Sequence, residues 1–267
     1  MPREILDGFY WIKENGPDRT GMIETEPDSP TWYKEGETVR IPNCAYLLVG
    51  DKTLLFDTLS PASGDEILER LNSVLGDRDL NYLVVSHPDV PHAGNTPRIL
   101  EAYPNATLVA PKYGNGHHLY RLDEGELVGD GDSIDLGGFV VDFHEATFLD
   151  APVSLWMSER TTNTLFPVDW LGFPHLDSEC LSLFEEVDTP MTVDRLIEFH
   201  GRVMFWYAYV DVPKVKADID RLIEIHDPDV IAPAHGLVIT EDTDVYMDRM
   251  KRVVERIHAE GRIGTLG

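Results

Sequence analysis

Short apolar runs rich in β-branched and aromatic residues recur along this chain of 267 residues, at 9–12, 45–49, 53–56, 82–85, 107–110, 139–143, 155–157, 163–166 and 230–232. Turn-forming residues bound each run, so the pattern predicts strands. Gly50-Asp51 between two of them predicts a tight hairpin turn. A second periodicity lies between the runs. Ile67, Leu68, Leu71 and Leu75 share one helical face within 63–75, and 96–103, 192–202, 214–226 and 243–260 read the same way. Hairpins come first, then strand–helix alternation. That order predicts a mixed α/β sandwich with sheets inside and helices outside. The strand-to-helix junctions are where such a fold exposes polar side chains.

The hydrophobic fraction of 42% suffices for a sizeable core. No linker-like stretch, repeat or low-complexity tract interrupts it, so the sequence suggests one domain over 1–267. Charge adds more. There are 48 Asp and Glu against 22 Lys and Arg, a net charge of −26 spread along the chain. Such a surface repels phosphate backbones and anionic membranes, which argues against a nucleic-acid or membrane partner. Molar salt shortens the screening length to about 3 Å and removes the self-repulsion, so the composition points to a halophilic protein. An ordinary acidic protein is the alternative. Cys44 and Cys180 stand far apart and outside any zinc-type spacing, so no disulfide framework is expected. No positively charged leader or span of ~18 apolar residues is evident, and a cytoplasmic location is the expectation.

Candidate chemistry is concentrated in His87-Pro88-Asp89-Val90-Pro91-His92-Ala93-Gly94-Asn95, between the apolar run 82–85 and a helical segment. Imidazole nitrogens and a hard carboxylate on one strand-end loop suit a borderline divalent metal. Histidines that cap the next helix are the plainer reading. Asp150, Asp169 and His235 each end or follow an apolar run. Separately they read as an Asp-x-Pro turn, a helix cap and a loop histidine.

Together these segments resemble the metallo-β-lactamase superfamily, whose motif is written H-x-[HED]-x-D-H-x-G-N. Residues 45–48 and 54–58 resemble its opening hairpin and its "L-I-D-T" strand end, and 232–236 resemble the "P-S-H-G" ending of flavodiiron proteins. The similarity covers most of 5–260. It implies an α/β metallo-β-lactamase αββα sandwich, two mixed β-sheets flanked by helices. It also implies two adjoining metal positions: His87, Asp89, Asp150 and Asp169 at the first, and His92, Asp169 and His235 at the second. Asp169 bridges them, and Asp57 braces the loop through hydrogen bonds.

Two departures bear on that site. Pro91 stands where the family has Asp, and Asp150 where it has His. The second position then has three protein ligands at most. The first becomes oxygen-rich, which favours iron or manganese over zinc. The resemblance stops where flavodiiron proteins continue into a flavodoxin domain, so no FMN is expected in this chain.

The implied activity is iron-dependent binding or reduction of O2 or NO. Electrons would come from an external donor of flavodoxin or rubredoxin type, and the protein would be a homodimer. A metal-dependent hydrolase with Asp89 or Asp150 as proton acceptor is one alternative. A binding protein that has lost its chemistry is the other. His175, six residues after Asp169, is either a substrate-facing histidine or a solvated loop residue. His117-His118, His144, His200, His226 and His258 read as surface, capping or strand histidines. Trp170, Trp206, Tyr207 and Tyr209 read as core.

Overall fold

The computed structural model describes residues 1–14, 22–23, 32–34, 36–112, 118–150 and 153–261. His117 and the Ala151-Pro152 pair lie outside the described residues. Among those described, the strands are β1 (Arg3–Leu6), β2 (Phe9–Lys13), β3 (Met22–Ile23), β4 (Val39–Arg40), β5 (Cys44–Val49), β6 (Thr53–Phe56), β7 (Tyr82–Val84), β8 (Thr107–Pro111), β9 (Glu126–Val128), β10 (Ser133–Asp135), β11 (Val140–Glu145), β12 (Leu155–Glu159), β13 (Thr164–Phe166), β14 (His175–Leu176) and β15 (Val230–Ile231). The helices are α1 (Gly64–Leu75), α2 (Val90–Ala93), α3 (Thr96–Ala102), α4 (Val193–Val203), α5 (Val212–His226) and α6 (Thr243–Glu260). None of the described helices is long and apolar enough to cross a membrane.

The chain folds as two compact units. The first comprises Met1–Thr20 and Asn43–Thr162. Its main sheet has the order β1-β2-β5-β6-β7-β8-β9. Pairing is antiparallel from β1 to β6 and parallel from β6 to β9. The change from hairpins to crossovers follows the sequence, because parallel neighbours need the connections that α1 and α3 supply. β5 is buried at five of its six positions, as befits a strand covered on both faces. Ile67, Leu71 and Leu75 of α1 pack against Leu47, Leu55 and Leu83 of the sheet. Each such side chain contributes about 1.5–3 kcal/mol by leaving water. β10, β11 and β12 form an antiparallel meander in the same unit. Glu159 closes it by accepting from the amides of Val140, Thr161 and Thr162.

The second unit comprises Gly21–Pro42 and Asn163–Gly267. β13 pairs with β15 in parallel, and β14, β4 and β3 form a small antiparallel sheet. α6 packs against α4 and α5, and Tyr246, Met250 and Val254 are among its buried residues. Thr192 and Asp211 cap α4 and α5 by accepting from the amides of Arg195 and Lys214. Arg195 is wholly buried. It pairs with Glu179 at 3.0 Å and sits over the rings of Trp32 and Phe173.

Most expected elements are present with ends shifted by one or two residues. Three differences have physical causes. The β5–β6 turn is longer than Gly50-Asp51, because Val49 pairs with Thr53 and Gly50 donates to the carbonyl of Lys52. Short polar strands such as β1, β9 and β10 carry little apolar pattern and escape notice in the sequence. The aromatic set is not uniformly core. Trp170 and Tyr207 are buried, but Tyr209 is 70% exposed on a 3-10 turn.

Candidate metal centre

In the first unit the site begins where β7 ends. Ser86 and His87 follow directly from the end of the interior strand β7, and the Ser86 carbonyl accepts from the Leu155 amide at 2.9 Å. Asp57, just past β6, is the organising group. Its Oδ1 accepts the Ser86 amide at 2.8 Å, and its Oδ2 accepts the Ser86 hydroxyl at 3.0 Å and His92 Nδ1–H at 2.7 Å. Asp57 adopts φ 65°, a left-handed conformation that Asp and Asn tolerate better than most residues.

The motif's last two residues hold the loop in place. Asn95 donates its side-chain amide to the carbonyls of Thr58, Leu59 and Ser60, and its backbone amide to Thr58 Oγ1. At Gly94 a Cβ would lie 2.5 Å from both the Val90 carbonyl and Pro61 Cδ, so no larger residue fits. Asp89 is exposed and caps α2, one carboxylate oxygen taking the Val90 amide at 2.7 Å. Pro91 stands in the first turn of α2, where a missing amide hydrogen costs nothing. It brings no ligand atom.

These bonds fix which ring nitrogen carries the proton. The Ser86 hydroxyl hydrogen is directed to Asp57, so Ser86 Oγ accepts from His87 Nδ1–H at 3.1 Å. His92 gives Nδ1–H to Asp57. Each ring therefore presents Nε2 as its lone-pair nitrogen, the arrangement found in metal-binding histidines oriented by a second partner. The two rings lie 4.0 Å apart. His87 Nε2 faces Asp150 Oδ1 at 3.7 Å, and ligand atoms of His87, Asp89 and Asp150 all fall within 4.8 Å of one another.

The second unit carries an equivalent pair. His235 Nδ1 donates to the Pro42 carbonyl at 2.8 Å, leaving Nε2 3.1 Å from Asp169 Oδ1. A carbonyl can only accept, so Nδ1 bears the proton. Nε2 then either turns a lone pair toward an anionic oxygen or carries a second proton. A cation held by both groups satisfies the first arrangement. The residues thus fit a divalent metal by donor chemistry and by tautomer. Asp169 lies between two left-handed residues, Val168 (φ 55°) and Leu171 (φ 66°), that bend the chain around it. The Phe199 ring stands 5.4 Å from that of His235 and fills the space beside Gly172, where a Cβ would meet it at 2.5 Å.

Two of the remaining histidines, His175 and His200, are buried where the sequence allowed a loop or surface position. His175 is not a solvated loop residue. It is fully buried in β14, its Nδ1 donating to the Leu176 carbonyl at 2.6 Å. His200 is not at the surface either. It is completely buried on the inner face of α4 and donates Nδ1–H to the Leu196 carbonyl at 2.9 Å. Burial pushes its pKa down to about 4, against the opposing pull of that hydrogen bond and of Asp169. The clue was present in sequence. His200 stands four residues after Leu196 and one after Phe199, inside the apolar stripe. His144 pairs across β11 and β12 with its ring on Ser158 Oγ, and burial lowers its pKa as well.

The family model of the metallo-beta-lactamase superfamily matches residues 38–176, more than half the chain. This chain belongs to that superfamily. Over 260 residues it is 26% identical to a nitric oxide reductase of Moorella thermoacetica, covering 96% of this chain and 62% of that protein. It is 27% identical over 242 residues to the rubredoxin-oxygen oxidoreductase of Megalodesulfovibrio gigas, covering 88% and 56%. Among solved structures, rubredoxin oxygen:oxidoreductase from Desulfovibrio gigas superposes with a TM-score of 0.71 at 21% identity, over 98% of this chain and 61% of that one. The flavodiiron protein of Giardia intestinalis superposes at 0.69 and 17% identity, over 97% and 60%. The mixed α/β architecture is therefore the metallo-β-lactamase fold of flavodiiron cores, as the resemblance implied. The chain spans about three-fifths of the length of these relatives.

Proposed function

We propose that this protein binds iron through His87, Asp89, His92, Asp150, Asp169 and His235 and reduces or senses O2 or NO. The observation that carries the proposal is the shared arrangement of His87, His92 and His235. Each commits Nδ1–H to an oxygen of the protein, so that Nε2 is the ring nitrogen left to offer a lone pair. The relatives named for nitric oxide and oxygen reduction support the same chemistry.

Iron, when bound, supplies one-electron chemistry on a diatomic gas that side chains alone lack. The chain's own residues do the rest. Asp57 and Ser86 fix the tautomers of His92 and His87, so those ligands need no reorganisation. Asp89, Asp150 and Asp169 supply the negative charge that a divalent cation requires. Buried Trp170 and Tyr207 contribute apolar bulk in the second unit, in keeping with a small neutral ligand. Electrons reach the centre from an external flavodoxin- or rubredoxin-type donor, and the working protein is a homodimer in the cytoplasm of a salt-adapted cell. Hydrolysis is disfavoured, because the position beside His92 that would steer an attacking water is Pro91.

The test is anaerobic purification in high salt, elemental analysis, and spectroscopy of the reduced protein exposed to O2 or NO. One or two irons per chain, and a spectrum that responds to either gas, is the expected outcome. Stoichiometric zinc with no response to either gas would overturn the reading. Asp169→Ala should lose the metal.

A further inference from the structure

We propose that the first unit carries a second binding site, a cavity of about 720 Å³ beside the edge strand β9 that takes an organic cation with an apolar body. None of the metal-site residues lines it, and its occupation is independent of the metal chemistry above. Its size falls within the range of small-molecule sites. Three elements supply its walls: α3, β8, and the 3-10 turn Leu119–Glu124 that leads into β9. Leu108 lines it as a buried residue, and Leu100, Ala106 and Tyr120 are half-buried and pack on the core of this unit. Those core contacts hold the apolar lining in place before any ligand arrives.

Two consecutive residues of the turn, Tyr120 (φ 57°) and Arg121 (φ 61°), are left-handed, and both line the cavity. Bulky side chains rarely adopt that backbone, and where they do it is commonly at a ligand site. Gly125 lets the turn close on β8, because a Cβ there would lie 2.9 Å from the Leu108 carbonyl oxygen. Charge then selects the ligand. Glu101, Glu124 and Glu126 line the cavity from α3, the turn and β9, against one cation, Arg121. Arg121 is already committed, forking onto Glu124 at 2.8 and 2.5 Å. Glu101 and Glu126 have no side-chain hydrogen bond or ion pair among the described residues. Two carboxylates are thus left uncompensated beside an apolar lining. An inorganic cation gains nothing from that lining, and a neutral apolar molecule gains nothing from the carboxylates. A cationic nitrogen on an aromatic or aliphatic body uses both, its charge toward the glutamates and its body on Leu100 and Tyr120. The apolar contact also persists in molar salt, which screens bare ion pairs.

Equilibrium dialysis of the full chain in molar potassium chloride tests this, with tryptamine as the cation and indole-3-propionate as an anion of similar shape. Tryptamine should bind in a single saturable event, roughly tenfold or more tighter than indole-3-propionate. Glu101→Gln combined with Glu126→Gln should weaken tryptamine by about five- to tenfold, since two partly exposed ion pairs are removed. Thr107→Trp places a large ring among the lining residues from an exposed strand position and should abolish binding. Glu224→Gln combined with Glu241→Gln removes the same charge from exposed positions of the second unit and should leave binding unchanged. Every substituted residue is exposed, so circular dichroism should report a native fold in each variant. Four results would each overturn the proposal: no binding at millimolar tryptamine, equal binding of the two ions, binding unmoved by the first pair or by Thr107→Trp, and an equal loss in the second pair.

Discussion

Asp57→Asn isolates what the buried carboxylate does. The substitution keeps size and tolerates the left-handed backbone at φ 65°. Oδ1 can still accept the Ser86 amide as a carbonyl oxygen. At the Oδ2 position an NH2 group replaces an acceptor, and it faces two donors: the Ser86 hydroxyl and His92 Nδ1–H. The least costly repair is for His92 to move its proton to Nε2 and accept at Nδ1. That repair removes the lone pair a metal would use. Two hydrogen bonds to a charged group are lost or inverted, each worth about 1.5–3 kcal/mol, and the tautomer change recovers part of this. We expect a net destabilisation of about 2–4 kcal/mol, read as a lower urea midpoint in high salt. Removing such a partner typically weakens metal binding about 10–100-fold, or about 1.4–2.7 kcal/mol. Equilibrium dialysis with manganese(II) or anaerobic iron(II) measures it. Wild-type metal affinity together with lowered stability would refute the tautomer argument and reduce Asp57 to a brace for the loop.

Three other outcomes follow from the same geometry. Gly94→Ala should cost about 1–3 kcal/mol, because its Cβ would lie 2.5 Å from the Val90 carbonyl, which cannot turn aside; an unchanged melting temperature would contradict this. His200 has a folded pKa of about 4, below its unfolded value of about 6.5, so the unfolded chain binds the extra proton first as pH falls. Its contribution to stability is therefore intact above pH ~6.5 and declines by about 3 kcal/mol down to pH ~4, and a His200→Leu variant should show that much less acid sensitivity in paired denaturation curves. The net charge of −26 should make the melting temperature climb from low salt to molar potassium chloride; a flat response would remove the halophilic reading.

The sequence by itself carried much of this protein's description. Periodicity placed α1 and α6 and the central strands, because burying one helix face or a whole strand leaves a pattern that survives without coordinates. Motif spacing marked His87, Asp89 and His92, since a loop at a strand end brings its donors from near neighbours, whereas Asp150, Asp169 and His235 were marked only by the family resemblance. Composition gave the acidic surface outright. Only tertiary structure decided what the pattern left ambiguous. Leu196 and Phe199 mark a buried stripe on α4, yet a lone histidine there reads as polar, and packing alone shows His200 sealed inside. Of the two readings of His175, substrate-facing or solvated loop, the loop reading fails because β14, only two residues long, exists through its pairing with β4. The proton positions on His87, His92 and His235 depend on Ser86, Asp57 and Pro42, the last of which is 193 residues distant from its partner. A hydrogen bond between residues that far apart leaves no local trace in the sequence, and at this centre such bonds determine which ring nitrogen carries the proton.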